Sequence, residues 1–138
     1  MIKEKIQNWG SDLSILEGTE RLEYLLDLAK ESTSLDDGKR LDQNKVHGCI
    51  SQIWVDCRVD DGKLVVEYDS DAMITKGIAR VICDCFTGSS VDEASNIVIK
   101  DFEPLGILPL LTAQRQNGLG NLIQTVVRKC QNLNHTYK

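Results

Sequence analysis

Apolar residues change their spacing several times along the chain, and each change marks an element. From Ile53 to Val59 the period is two: Ile53, Val55, Cys57 and Val59 share one face, while Gln52, Trp54, Asp56 and Arg58 share the other. That alternation predicts a half-buried strand. Asp60-Asp61-Gly62 supplies turn chemistry, and the following "KLVVEYD" is rich in β-branched residues, so the two stretches form a hairpin. A third strand could come from the N-terminal side of Ser51 or from elsewhere.

Helical spacing governs most of the remainder. In residues 18–33, Leu22, Leu25, Leu26 and Ala29 recur on one face, with Thr19 placed as N-cap and Glu20 at the positive helix end. Met73, Ile74, Ile78, Val81, Ile82 and Cys85 predict a helix from about Ala72 to Phe86, capped by Ser70 or Asp71 and ended by Gly88. Ser90-x-x-Glu93 has the form of a capping box for a short helix reaching Ser95 or Asn96. Leu119, Leu122, Ile123, Val126, Val127 and Cys130 predict a C-terminal helix starting near Asn117, interrupted early by Gly118 and Gly120 and followed by a frayed tail. Residues 1–10 suit a short helix, residues 32–45 an exposed loop, and "DFEPLGIL" a turn of helix and a loop.

A chain of 138 residues fits a single domain spanning 1–138. With 41% hydrophobic and 27% charged residues it has the composition of a folding globular protein. The net charge is -5, and the lysines and arginines are scattered rather than striped, which excludes the usual nucleic-acid footprint. No apolar run reaches the roughly 18 residues of a membrane span, and Met1 to Trp9 does not read as a signal peptide. Five cysteines without regular spacing argue against a disulfide framework and for a reducing compartment, the cytoplasm.

The candidate chemistry lies in those cysteines. Cys57 falls on the apolar strand face, and Cys83, Cys85 and Cys130 fall in predicted helices, so these four read as core thiols. Cys83 and Cys85 stand about 200° apart around a helix and cannot share an ion. No second pair with zinc spacing exists, so no metal site is expected. Cys49 differs. It follows Gly48 at the head of the strand, with Lys45 and His47 before it, and positive neighbours lower a thiol pKa and enrich the nucleophilic thiolate. A packed side chain remains the competing reading. His135, the one other histidine, lies in the predicted tail, which leaves a Cys/His hydrolase without an orienting third group. No phosphate-binding loop, dinucleotide fingerprint or zinc-protease motif is present.

Three segments in order, "VHGCISQIW", "YDSDAMITKGIARVI" and "LTAQRQNGL", resemble the SufE/CsdE proteins, the sulfur-acceptor partners of cysteine desulfurases in iron–sulfur cluster assembly. The likeness runs from about Leu22 into the C-terminal helix. It implies an α+β fold, a small antiparallel sheet packed against helices, shared with the IscU scaffolds. It also implies that Cys49 accepts sulfane sulfur as a persulfide and that Arg115 lies nearby, with Gln52, Asp71 and Lys76 as binding candidates beside Ser51 and Trp54. On this reading the chain is a sulfur-transfer accessory protein rather than an independent enzyme. It needs no cofactor of its own, because pyridoxal phosphate belongs to the partner, a SufS/CsdA-like desulfurase, and a downstream Fe–S scaffold receives the sulfur. An IscU-like cluster scaffold and a non-catalytic interaction module are the alternatives. The family often has glutamine where this chain has His47, so His47 takes no role from the likeness.

Overall fold

The computed structural model describes residues 1–32, 37–48, 51–107, 109 and 111–137, excepting the side chains of 37 and 135–137. Helices α1 (Ile2–Ser14) and α2 (Glu20–Glu31) are followed by two 3₁₀ turns, Asp37–Lys39 and Asp42–Asn44. The hairpin β1 (Ile53–Asp60) and β2 (Lys63–Ser70) comes next, then α3 (Met73–Phe86), α4 (Val91–Ser95), a 3₁₀ stretch (Ile99–Leu105) and α5 (Ala113–Tyr137). The architecture is α+β, a two-stranded antiparallel sheet packed against helices.

The hairpin register runs from Ile53 opposite Ser70 to Asp60 opposite Lys63. One face carries Ile53, Val55, Leu64 and Val66, all buried, with β2 against α3 and β1 against α5. Alternation within each strand produces this one-sided burial, as the period-two pattern predicts. The third-strand question resolves modestly: among the described residues an isolated antiparallel bridge joins Lys45 to Trp54, and Val46 N–H donates to Ile53 C=O at 2.8 Å.

Helix α3 is buried nearly all round. Ile78, Ala79, Val81, Ile82, Cys83, Cys85 and Phe86 are all core residues, because α1, α2, α5 and β2 each cover part of its circumference. That is why Cys83 and Cys85, on nearly opposite sides of one helix, are both buried. Contact with α2 is so close that a Cβ on Gly77 would stand 2.0 Å from the Leu25 carbonyl oxygen. Only glycine fits there, which gives the K-G dipeptide of the α3 segment a packing role.

Several boundaries differ from the sequence expectation. Helix α1 continues to Ser14 because Leu13 extends the buried stripe of Ile2, Ile6 and Gly10. Helix α5 starts at Ala113 instead of near Asn117, and Gly118 and Gly120 are ordinary helical residues within it. Residues 113–117 face solvent, so apolar periodicity gives no sign of this first turn; the Thr112 carbonyl accepts Gln116 N–H at 2.9 Å and its hydroxyl accepts Arg115 N–H at 3.3 Å. Thr19 precedes α2, but its side chain makes no capping bond. Ser90 caps α4 by accepting Glu93 N–H at 3.1 Å, whereas the Glu93 carboxylate turns to Ile2 N–H at 2.7 Å.

The segment read as an exposed loop is anchored in its described part. Asn44 is buried, donates to Lys39 C=O at 2.8 Å and accepts from Lys129 Nζ at 3.1 Å. Lys39 pairs with Glu67 at 2.8 Å, and Arg40 pairs with Asp69 and lies 5.8 Å over the Trp54 ring. Residues 33–36 lie outside the described part.

The Asp69 carboxylate, with 3% of its side chain exposed, is held by Arg40, by the Ser70 N–H at 2.9 Å and by Lys76 Nζ at 3.3 Å. Burial works against its ionisation, but the Ser70 amide, Arg40 and Lys76 outweigh that and keep its pKa below the ordinary value. Its stabilising contribution is therefore complete above the unfolded value of about pH 4 and is lost as pH falls through the lower folded-state pKa. Asp69→Asn leaves Lys76 buried beside a neutral group and is expected to cost about 3–5 kcal/mol at neutral pH. Urea unfolding as a function of pH checks this: the wild type should lose stability on acidification below about pH 4, and the variant should lose less over that interval.

Candidate functional site

Gly48 and Gln52 are each fixed by hydrogen bonds to another element. The Gln52 backbone is gripped by the end of the hairpin: its N–H donates to Asp71 Oδ1 at 2.9 Å, and its carbonyl accepts from Ser70 Oγ at 2.7 Å and from Asp71 N–H at 3.2 Å. Ser70 Oγ also accepts Ala72 N–H at 3.2 Å, which ties the grip to the start of α3. The D-S-D segment is thus a backbone clamp, with Asp69 fixing the sheet below it. Before position 49, Gly48 adopts φ +84° and its carbonyl accepts from Asn121 Nδ2 of α5 at 3.2 Å.

Between these anchors opens a groove of about 310 Å³. Ile53 of β1, Ile78 of α3 and Leu119 and Leu122 of α5 give it an apolar floor, and Ser51, Thr75, Thr112, Gln114, Arg115 and Gly118 complete the wall. Gly118, which reads in the sequence as a helix interruption, is helical and borders the space. Arg115 donates from Nη1 to Thr75 Oγ1 at 3.0 Å, a bond that spans the groove from α5 to α3. A guanidinium beside an apolar floor suits a small anionic or polarisable group.

A family model described as SufE, Fe-S metabolism associated domain, matches residues 7–130. The chain belongs to the SufE family. It is 35% identical over 121 residues to SufE-like protein 1, chloroplastic/mitochondrial, of Arabidopsis thaliana, a match covering 87% of this chain but 33% of that protein's length. It is 31% identical over 115 residues to a SufE-like protein of Rhizobium meliloti, covering 80% of this chain and 82% of the relative. The solution structure of a hypothetical protein from Thermus thermophilus superposes with a TM-score of 0.76 at 18% identity over 95% of this chain and 96% of that one, a likeness of fold.

Against the motif residues of the SufE family, the structure distributes the sequence candidates unevenly. Cys49 lies outside the described residues. Arg115 and Ser51 border the groove. Asp71 and Gln52 meet each other beside it, through the Asp71 carboxylate and the Gln52 backbone. Lys76 is buried and directed to Asp69. Trp54 lies under Arg40 on the opposite sheet face, and His47 is exposed. The sequence reading missed Asn121, Thr75 and Thr112. The one available signal was helical spacing, since Arg115, Gly118, Leu119 and Leu122 place one face of α5 on the groove.

Cys57, Cys83 and Cys85 are poor nucleophiles at neutral pH. Burial and the Asp84 carboxylate push the Cys85 thiol up to about 12, and burial raises Cys83 as well. Cys57 is raised by the neighbouring Cys130 thiol and by burial. Protonated thiols attack sulfur slowly. Among the described residues no cluster of His, Cys, Asp and Glu is placed to hold a metal ion, and no helix is long and apolar enough to cross a membrane.

Gly48 offers a test of the upstream anchor. A Cβ there would stand 2.5 Å from Asn121 Nδ2 and would force an L-residue to positive φ. Gly48→Ala should cost about 1–2 kcal/mol in urea unfolding from the backbone conformation alone, plus the clash. The double variant Gly48→Ala/Asn121→Ala should recover only the clash component.

Proposed function

We propose that this SufE-family chain accepts sulfane sulfur on Cys49 from a cysteine desulfurase and passes it on for iron–sulfur cluster assembly. The Cys49 thiolate attacks the terminal sulfur of the persulfide carried by the desulfurase. A new S–S bond forms on Cys49, the partner's S–S bond breaks, and the partner's cysteine leaves as thiolate, so sulfur moves without any net change of redox state. Pyridoxal phosphate, which frees that sulfur from cysteine, belongs to the SufS/CsdA-like partner. A downstream Fe–S scaffold is the recipient, in a reducing compartment such as the cytoplasm.

The observation that carries this reading is the double anchoring of the chain at the groove. Gly48 is bound to α5, Ser51 borders the groove and Gln52 is clamped by the hairpin end. A space of about 310 Å³ with an apolar floor has room for a cysteine persulfide. Arg115 supplies the positive charge that stabilises thiolate and persulfide anions. Asp71 and Gln52 position the chain, and Lys76 acts through Asp69 to hold the clamp. The remaining cysteines favour an acceptor over a cluster scaffold, since Cys83, Cys85 and Cys130 are buried in the core rather than converging on the groove.

Alanine production by a SufS-like desulfurase, measured without added reductant, tests the proposal. The wild-type chain should stimulate turnover and Cys49→Ser should not, while both bind the enzyme. Arg115→Ala should lower stimulation by about tenfold or more, the equivalent of one hydrogen bond to a charged group, with partial recovery in Arg115→Lys. Equal stimulation by Cys49→Ser would overturn the acceptor role and leave an interaction module.

A further inference from the structure

Of the six arginines in the chain, Arg40, Arg58 and Arg80 pair with the carboxylates of Asp69, Glu67 and Glu31. Arg115 is held by a neutral group instead. Its Nη1 donates to Thr75 Oγ1 at 3.0 Å, and among the described residues no carboxylate lies within ion-pair distance of it. A hydroxyl accepts from a guanidinium without neutralising it. Both residues border the groove, so the bond crosses it from α5 to α3 and leaves a full positive charge at its edge.

Each end of that bond is fixed by its own element. Thr75 lies in the first turn of α3, where the next residue, Lys76, is tied to Asp69 at 3.3 Å and Gly77 packs on the Leu25 carbonyl. The backbone of Arg115 is fixed by the Thr112 hydroxyl, which accepts its N–H at 3.3 Å. The Arg115 side chain itself is long and exposed. Such a side chain samples many rotamers in water, and the hydrogen bond to Thr75 selects among them.

We propose that Thr75 is a positioning residue for sulfur transfer, its hydroxyl holding the Arg115 guanidinium across the groove to receive the thiolate and persulfide anions of Cys49. The inference rests on the acceptor reading of Cys49. Thr75 touches no reacting atom and acts through Arg115. Charge lies on Cys49 as thiolate before the attack and as ionised persulfide after it, so one fixed guanidinium serves both states. A donor held in place beforehand stabilises such an anion better than one that must be ordered during the step, because no reorganisation is required. Valine at position 75 would keep the β-branched shape of the helix surface and give Arg115 no acceptor.

The test reads local charge and transfer separately. Alkylation of Cys49 in the folded chain at fixed pH, followed by peptide mapping, is compared for the anion iodoacetate and for neutral iodoacetamide, with no desulfurase present. Thr75→Val should lower the iodoacetate-to-iodoacetamide rate ratio by about twofold to tenfold, the span of one neutral hydrogen bond. Thr75→Ser should restore the wild-type ratio, and Thr75→Val should add nothing in an Arg115→Ala chain, as for two residues acting as one unit. Maximal stimulation of the desulfurase should fall by a similar factor in Thr75→Val, while the concentration giving half-maximal stimulation stays unchanged. Thr75→Ala, which also lacks the hydroxyl and suits a helix, takes the place of the valine variant should that one fold poorly. An unchanged ratio in both variants, or an equally large loss in the absence of Arg115, would overturn the role of Thr75; with Cys49→Ser inactive, the acceptor reading would still stand. Full stimulation by Cys49→Ser would overturn both.

Discussion

Asp69, Ser70 and Asp71 hold three parts of the molecule at once. Asp69 buries its charge between Arg40 and Lys76 and so fixes the 3₁₀ segment and α3 to the sheet. Ser70 and Asp71, one residue further on, grip the Gln52 backbone and place the head of β1 beside the start of α3. A buried carboxylate is tolerable only when its partners are themselves immobile. Lys76 meets that condition from a helix buried among α1, α2 and the hairpin, and Arg40 meets it by lying over Trp54. The position of the groove relative to Ser51 and Gln52 follows from these bonds, because one wall of the groove is α3 and the clamp sets where β1 begins against it.

The distribution of thiols agrees with that arrangement. Three cysteines are enclosed in the core and a fourth borders it, and for Cys57, Cys83 and Cys85 that setting raises the thiol pKa. On the proposed acceptor reading, a chain with five equally reactive thiols would scatter the sulfur it receives. Core packing, which suppresses the thiolate by desolvation, is what would make the proposed sulfur chemistry selective. The groove supplies the opposite environment, with an arginine at its edge and an opening to solvent.

Much of this arrangement is visible in the sequence where one physical signal dominates. The period-two run from Ile53 to Val59 yields β1 and its buried face, and the spacing of Met73 to Cys85 yields α3, because apolar burial alone decides both. The start of α5 is not visible, since residues 113–117 carry no apolar stripe and are helical through backbone bonding and the hydroxyl of Thr112. The anchoring of Asn44 and Arg40 is hidden for a different reason. Polar residues between turn formers look alike whether they face solvent or meet a charge some 29 positions away, as Arg40 meets Asp69. Asn121 is silent in the same way, because its partner is the backbone carbonyl of Gly48. The family motifs reveal which positions belong together, and the structure gives them different roles. Asp71 and Ser70 bind backbone, Gly77 admits α2, and Arg115 faces the groove.

The acceptor role of Cys49 is reached most directly by intact-protein mass spectrometry after incubation with a cysteine desulfurase and cysteine, without reductant. The expected result is a gain of sulfur that maps to Cys49, is absent in Cys49→Ser and persists in Cys57→Ser. Sulfur found on Cys57, Cys83, Cys85 or Cys130 in place of Cys49, or no gain in a chain that demonstrably binds the desulfurase, would contradict it.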